Sequence, residues 1–350
     1  MARELVAVAP HTPELREYEP PALGPGMVRI VSEFGAAKHG TELAAYRGVA
    51  AFSTGRYDRE WRLLLPREGS GGFPVSLGNM IVGRITDVGE GVTAYAAGDR
   101  VYGHLPLRDV HVVTTERIKA LPGDLSPAAA VCTDPADAAL AMRDAHVRLG
   151  DRVAVFGLGA IGLFALQFCK LSGASLVIAV DPVEHRRALA QRFGADVTLD
   201  PAAGDVGLEI HRLTDKLGAD VTLEVSGSAR ALQQAIRSTK YAGTVGAIAA
   251  YSGGANELRL GEEFHWNAIN LVSCRTVSLP LRDFGWDHER IVDVAETLIR
   301  TGRVQHQGIV DPIVPFAATP EAYRQIDASP DSSVKLGVRF PATDEPAPGS

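Results

Sequence analysis

The sequence predicts an α/β protein in which a β-rich domain precedes a doubly wound parallel-sheet domain. Three observations lead there. At about 150 residues per domain, a chain of 350 residues holds about two domains. From residue 152 onward, short apolar strands alternate with amphipathic helices, the pattern of a parallel sheet covered on both faces. The first strand of that run feeds a glycine-rich turn that opens a helix.

In order along the chain, residues 3–9, 27–34, 80–89 and 98–103 read as strands. Turn signals at Pro25-Gly26, Gly89-Glu90-Gly91 and Gly98-Asp99 separate them. Residues 49–76, rich in Gly, Arg and Ser around Trp61, read as a binding loop or a surface insertion. At Ser126 the character changes, with a capping serine and Pro127 at the first helical position. Then come strand 152–156, helix 160–172, strand 175–181, helix 183–193, strand 195–199 and a helical stretch near 205–217. Strand 220–225, helix 229–240, strand 244–250 and a later helix 287–301 complete the pattern. The implied divisions are 1–125, 126–285, a returning segment 286–340, and a disordered tail 341–350 of sequence PATDEPAPGS.

Composition removes several function classes. Hydrophobic residues at 46% and charged residues at 22% are those of a globular chain. A net charge of −7 without a basic cluster argues against a nucleic-acid partner. No stretch reaches the roughly 18–20 apolar residues of a membrane span, and MARELVAVAP lacks the form of a signal peptide. The expectation is a cytoplasmic protein. Its three cysteines, Cys132, Cys169 and Cys274, are too few and too scattered for a disulfide framework or a four-cysteine zinc knot.

Residues 157–162 read GLGAIG, an unbroken G-x-G-x-x-G between a strand and a helix. Gly157 permits the tight turn, Gly159 lets backbone approach a pyrophosphate, and Gly162 allows close helix–sheet packing. With Leu158, Ala160 and Ile161 they make an anion cradle at a helix N-terminus. Asp181 ends the next strand, 19 residues past Gly162, where an acidic side chain binds ribose hydroxyls. Its charge repels a 2′-phosphate, so NAD is favoured over NADP, although Arg186 and Arg187 follow on the next helix. Ser226-Gly227 lies at the carboxyl end of strand 220–225, where ligands bind such sheets.

GTELAAYRG (40–48), LGNMIVGRITDVGEGVTAYAAGDRVYG (77–103), DPADAAL (134–140), GLGAIG and VDPVEHRRALAQRFGAD together resemble the medium-chain dehydrogenase/reductase family of zinc-type alcohol dehydrogenases. The resemblance implies a GroES-like catalytic domain, a Rossmann domain, and a chain end that returns to the first. FGAAKHGTE, LGNM, VCTDPA and RDAHVRLGD resemble a branch that oxidises the C3 hydroxyl of hexopyranosides to 3-keto sugars. Family habit implies a homo-oligomer, dimer or tetramer, acting on a small sugar or glycoside. Two readings stay beside it: a zinc-free NADPH-dependent quinone or enone reductase, and an NAD-binding sensor without catalysis.

The departures from the family bear on the chemistry. His39 stands where a cysteine ligand is usual, and Gly78-Asn79-Met80 replaces Gly-His-Glu. Asp134 stands where Glu is common. The structural zinc is excluded by the missing cysteines; a catalytic zinc on His39 and Asp134, with Cys132 or His104, is left open. Without a metal, a side chain must take the alcohol proton. Lys38, His39 and Asp134 are the candidates, with Thr41 as hydroxyl relay and Asn79 as a partner for a sugar hydroxyl. Lys335 matches a basic position that contacts pyrophosphate. Trp61, Trp266 and Trp286 could each face a pyranose, or simply pack, and His265 and Asn267 are weaker candidates.

Overall fold

The computed structural model describes residues 1–50, 55–66, 72–251, 254–276 and 285–341. The expected tail beyond 341 lies outside the described residues. The chain divides into two compact units, Met1–Val131 with Val310–Ser350, and Cys132–Ile309. Among the described residues no helix is long and apolar enough to cross a membrane.

The first unit is built on two sheets. One has the order Thr12–Tyr18, Ala2–Ala9, Val75–Ser76. The larger runs Lys119–Ala120, Arg100–Gly103, Met80–Val88, Met27–Ala36, Lys335–Arg339, Val310–Pro315, with Val110–Thr114 also paired to Met27–Ala36. Met27–Ala36 alternates buried and half-buried residues, as a strand with one core face must. Val28, Ile30, Ile81, Ile85, Leu107, Leu336 and Val338 form the core with Phe316 and Tyr323. The strand Lys335–Arg339 therefore joins the sheet between Met27–Ala36 and the edge strand Val310–Pro315, Gly337 opposite Ala36.

Several elements here have no clear sequence signal. Thr12–Tyr18 carries Pro13 and the exposed charges Glu14, Arg16 and Glu17. Helix His39–Tyr46 has only eight residues and a weak apolar stripe. Within 49–76 the described residues form a hairpin, Gly55–Asp58 against Leu63–Pro66, which leaves Tyr57, Trp61, Leu63 and Leu64 exposed.

The second unit is a six-stranded parallel sheet in the order Val197–Leu199, Leu176–Val180, Arg152–Phe156, Ala219–Glu224, Thr239–Ala247, Asn270–Ser273. The direction of winding reverses between Arg152–Phe156 and Ala219–Glu224, which is the ligand crevice of a doubly wound sheet. The central stretches of Arg152–Phe156 and Leu176–Val180 are apolar because helices cover both faces. Ser126 caps its short helix by accepting from the Ala129 N–H, as its position beside Pro127 predicts. Helix His288–Arg300 falls in this unit, burying Ile291, Ala295 and Ile299. The sequence pattern alone places that helix with the returning segment, whereas the first unit resumes at Val310. An apolar stripe says that a helix packs, but not against which sheet.

Asp220 joins two elements at the start of this sheet, accepting from the Arg152 backbone N–H (2.7 Å), the Arg152 guanidinium (3.0 Å) and Lys240 (2.7 Å). Burial alone pushes its carboxyl up, but these donors outweigh burial and hold it at about 2, below its ordinary 3.8. The pair's contribution is complete above about pH 4 and is lost as pH falls toward 2. Asp220→Asn is expected to cost about 2 kcal/mol at neutral pH. Urea denaturation at pH 7 and pH 3 checks this, the gap from the wild type narrowing at the lower pH.

Candidate active site

The glycine-rich turn follows strand Arg152–Phe156, and its three glycines do three different jobs. Gly157 has φ +92°, and a Cβ there would lie 2.7 Å from Ser226. A Cβ on Gly162 would fall 1.8 Å from the Gly157 carbonyl oxygen, so helix Ala160–Leu171 can approach the turn only without it. Beside Gly159 there is no protein atom within 4 Å of where a Cβ would stand. Gly159 also precedes the helix without any side-chain cap. The first-turn N–H groups at Ala160 and Ile161 lack intrahelical partners by geometry and carry the helix's partial positive charge. Open space, bare backbone and positive potential fit a dinucleotide's pyrophosphate.

Asp181 is buried at the end of Leu176–Val180. Its two oxygens accept from the Leu158 N–H (2.7 Å) and the Val183 N–H (2.8 Å), tying the acidic position to the turn. Arg186 stands 3.9 Å from the same carboxylate. Arg187 is held by the Asp181 carbonyl (2.8 Å) and by Asp200 (3.3 Å).

Glu224 was invisible to motif reasoning. It lies wholly buried at the end of Ala219–Glu224 and accepts from the N–H groups of Ser226 (2.8 Å) and Gly227 (3.1 Å) and from the hydroxyls of Ser226 and Tyr251. Burial pushes its carboxyl up, and the donors recover only part of that rise. It fixes the Ser226-Gly227 turn that abuts Gly157. The only sequence signal was an acidic residue at the last position of an apolar strand.

In the first unit, Lys38 is the N-cap of helix His39–Tyr46 and is half-buried. His39 and Thr41 open that helix; their side chains lie outside the described residues. Asn79 pairs through its N–H with the Ala36 carbonyl (2.9 Å), which sets it beside the strand end that leads to Lys38. Its amide nitrogen is buried with no hydrogen-bond partner among the described residues. Gly78 before it has φ +91°, and a Cβ would strike Leu107 at 2.3 Å. Lys335 is buried and donates to the Ala37 carbonyl (2.7 Å), so it is no surface charge.

Glu42, a second residue that motif reasoning passed over, is enclosed. One of its oxygens accepts from the Gly78 N–H (2.7 Å) and the Tyr323 hydroxyl, the other from the Lys38 N–H (2.9 Å). Burial pushes its carboxyl up against the lowering effect of these donors and of Lys335.

The remaining candidates disperse. Asp134 and Cys132 are buried at the start of helix Thr133–Ala139 in the second unit. His104 is exposed. Trp61 and Trp266 are exposed, the latter edge-on to His265 with centroids 6.0 Å apart, and Asn267 bonds through its backbone to Glu263 and Ala242. Trp286 carries the guanidinium groups of Arg143 and Arg290 at 3.7 and 4.3 Å from its ring centre, which makes it a packing residue of its own unit.

The described residues do not fit a zinc ion. Zinc takes Cys, His and carboxylate ligands, but Asn79 offers an amide and Met80 is buried in the strand. Both oxygens of Glu42 are occupied by donors. Among the described residues no three His, Cys, Asp or Glu side chains gather as a metal site would require.

The fold and the glycine turn define a nicotinamide-dependent dehydrogenase, and the comparisons agree. A family profile described as zinc-binding dehydrogenase matches residues 160–284. The chain is 42% identical over 349 residues to D-guloside 3-dehydrogenase of Escherichia coli K12, covering 97% of this chain and 100% of that protein. It belongs to the zinc-binding, medium-chain dehydrogenase/reductase family. Among solved structures, 2R,3R-butanediol dehydrogenase from Bacillus subtilis superposes with a TM-score of 0.77 at 25% identity, covering 98% of this chain and 100% of that one. An oxidoreductase/dehydrogenase of unknown specificity from Escherichia coli gives a TM-score of 0.80 at 18% identity, covering 97% and 99%.

The glycine turn yields a paired test. Gly159→Ala should fold like the wild type, because its methyl group meets no protein atom, yet bind NADH at least tenfold more weakly, a loss of about 1.4 kcal/mol. Gly157→Ala should lose both stability and binding. Thermal midpoints with NADH fluorescence titration separate the two.

Proposed function

We propose that this protein oxidises a secondary hydroxyl of a sugar or glycoside with NAD, the C3 hydroxyl of a hexopyranoside giving a 3-keto sugar. The observation that carries this is full-length relatedness, at 42% identity, to a protein named D-guloside 3-dehydrogenase. The site is consistent with it. An amide at Asn79 with an unused donor suits a polyhydroxylated substrate, which supplies an acceptor at more than one carbon.

The reaction removes a hydride from carbon and a proton from oxygen. NAD, when bound, accepts the hydride. Gly157, Leu158, Gly159, Ala160, Ile161 and Gly162 hold its pyrophosphate, and Ser226 closes the turn behind them. Asp181 selects the ribose that lacks a 2′-phosphate; Arg186 and Arg187 are both engaged within the unit and leave that preference intact. Asn79 orients a substrate hydroxyl. His39 takes the proton, with Lys38 orienting the hydroxyl and Thr41 relaying, and Asp134 a buried carboxylate on the cofactor unit. No step passes through zinc.

Unit Cys132–Ile309 thus serves the cofactor and the other unit the substrate. Self-association belongs to the same proposal: Asn270–Ser273 is the outermost strand of its sheet, and Leu260, Trp266 and Leu271 stand exposed near it in sequence. A cytoplasmic location suits three cysteines kept buried as thiols.

Purified protein should reduce NAD with a hexopyranoside, contain no stoichiometric zinc and be insensitive to chelator. Absence of turnover with every glycoside tried would sink the reading, and chelator-sensitive turnover would sink the metal-free route. His39→Ala is expected to lower kcat at least 100-fold, the range of general base catalysis. Asn79→Ala should mainly raise KM for the glycoside, by about tenfold.

A further inference from the structure

We propose that the hydrogen-bonded pair Glu42–Tyr323 is the positioning device of the substrate side, clamping the Lys38–His39 turn to the Gly78–Asn79 turn. The inference rests on the reading above only in assigning Lys38, His39 and Asn79 to the substrate; the clamp itself is in the hydrogen bonds.

Two turns, one beside Glu42 and one 36 residues from it in sequence, meet at its carboxylate. The Lys38 N–H donates to one oxygen of Glu42, and the Gly78 N–H donates to the other. A backbone N–H cannot move without its residue, so the two bonds fix the residues immediately before His39 and Asn79. The Tyr323 hydroxyl adds a third donor from a segment 281 residues from Glu42. All three partners are donors, so the carboxylate is wanted as an acceptor on both oxygens.

The neighbouring backbone is equally accounted for. Ala36 accepts from the Asn79 N–H (2.9 Å), the Ala37 N–H donates to Leu336 (3.0 Å), and the Ala37 carbonyl accepts from Lys335 (2.7 Å). The Lys38 carbonyl accepts from the Glu42 N–H (3.0 Å). The turn therefore has no slack of its own, and Glu42 is the group that couples it to Asn79.

The far end of the same helix is held separately. Asp327, one turn beyond Tyr323, accepts from Arg47 (2.6 Å) and lies 2.6 Å from the His11 ring nitrogen. That contact is remote from Lys38 along the helix axis and serves as a control. If Tyr323 only stabilises the fold, loss of either anchor should act alike.

The test compares Glu42→Gln, Tyr323→Phe and Asp327→Asn. Gln presents an NH2 group where only acceptors are wanted; Phe removes one donor and keeps the packing. Expected are a kcat fall of at least tenfold in E42Q and about fivefold in Y323F, with NADH affinity within twofold of the wild type. D327N should lower the thermal midpoint by as much as Y323F and leave kcat within twofold. Equal kcat in E42Q, Y323F and the wild type, or losses in all three variants that track the thermal midpoint, would overturn the proposal. Hydrogen–deuterium exchange on peptides spanning 36–46 and 76–82 reads the clamp without substrate. Faster exchange of both peptides in Y323F supports it, even if E42Q fails to fold; unchanged exchange overturns it. Should the wild type oxidise no glycoside, the proposed function falls, and the exchange result still decides the clamp.

Discussion

A carboxylate removed from water must be given donors, and an uncompensated one costs several kcal/mol. Each unit of this protein contains such a group, and in each the donors come from the backbone of a turn beside the candidate site. Glu42 receives N–H groups from Lys38 and Gly78 and a hydroxyl from Tyr323. Glu224 receives N–H groups from Ser226 and Gly227 and a hydroxyl from Tyr251. Two unrelated sheets thus use the same solution: an acid at the base of a glycine-containing turn, closed by a tyrosine. The requirement to satisfy the acid fixes the turn, and the turn fixes the residues that would meet ligand.

The dinucleotide unit was far more legible in the sequence than its partner. Residues 153–156 (VAVF) and 176–180 (LVIAV) are apolar at every position because both faces are covered, and the turn between strand and helix can be made only with glycine at 157 and 162. Those constraints are local and leave a local pattern. In the first unit the decisive contacts are between residues far apart in sequence, and Glu42 or Tyr323 looks like any acid or aromatic residue on a short helix. The helix Thr319–Ala328 and strand Lys335–Arg339 matter because of what they reach, which composition does not reveal. The division at 285 fails to anticipate helix His288–Arg300 for the same reason.

Asn79, an amide that bonds to hydroxyls, stands where the resemblance places a histidine ligand of the family's zinc. An amide at Asn79 exchanges a strong, undirected attraction for a donor and an acceptor with fixed directions. In the function proposed above, that change moves the burden from acidifying the alcohol to aiming it. A clamp that leaves the Lys38 and Asn79 backbones no freedom suits such a division of labour, because a general base works only within hydrogen-bond reach of its proton.

The strand Lys335–Arg339 lies between Met27–Ala36 and the edge strand Val310–Pro315 of its sheet. On a ribosome, therefore, this sheet ends at Met27–Ala36 on that side until both later strands are made, while Cys132–Ile309 has every strand of its own sheet in hand earlier. Synthesis would deliver a complete parallel sheet attached to an unfinished second sheet. Adding these strands and the helix between them brings Tyr323 to Glu42 and Lys335 to Ala37, so the contacts that hold the Lys38 turn form after the strands around it are made.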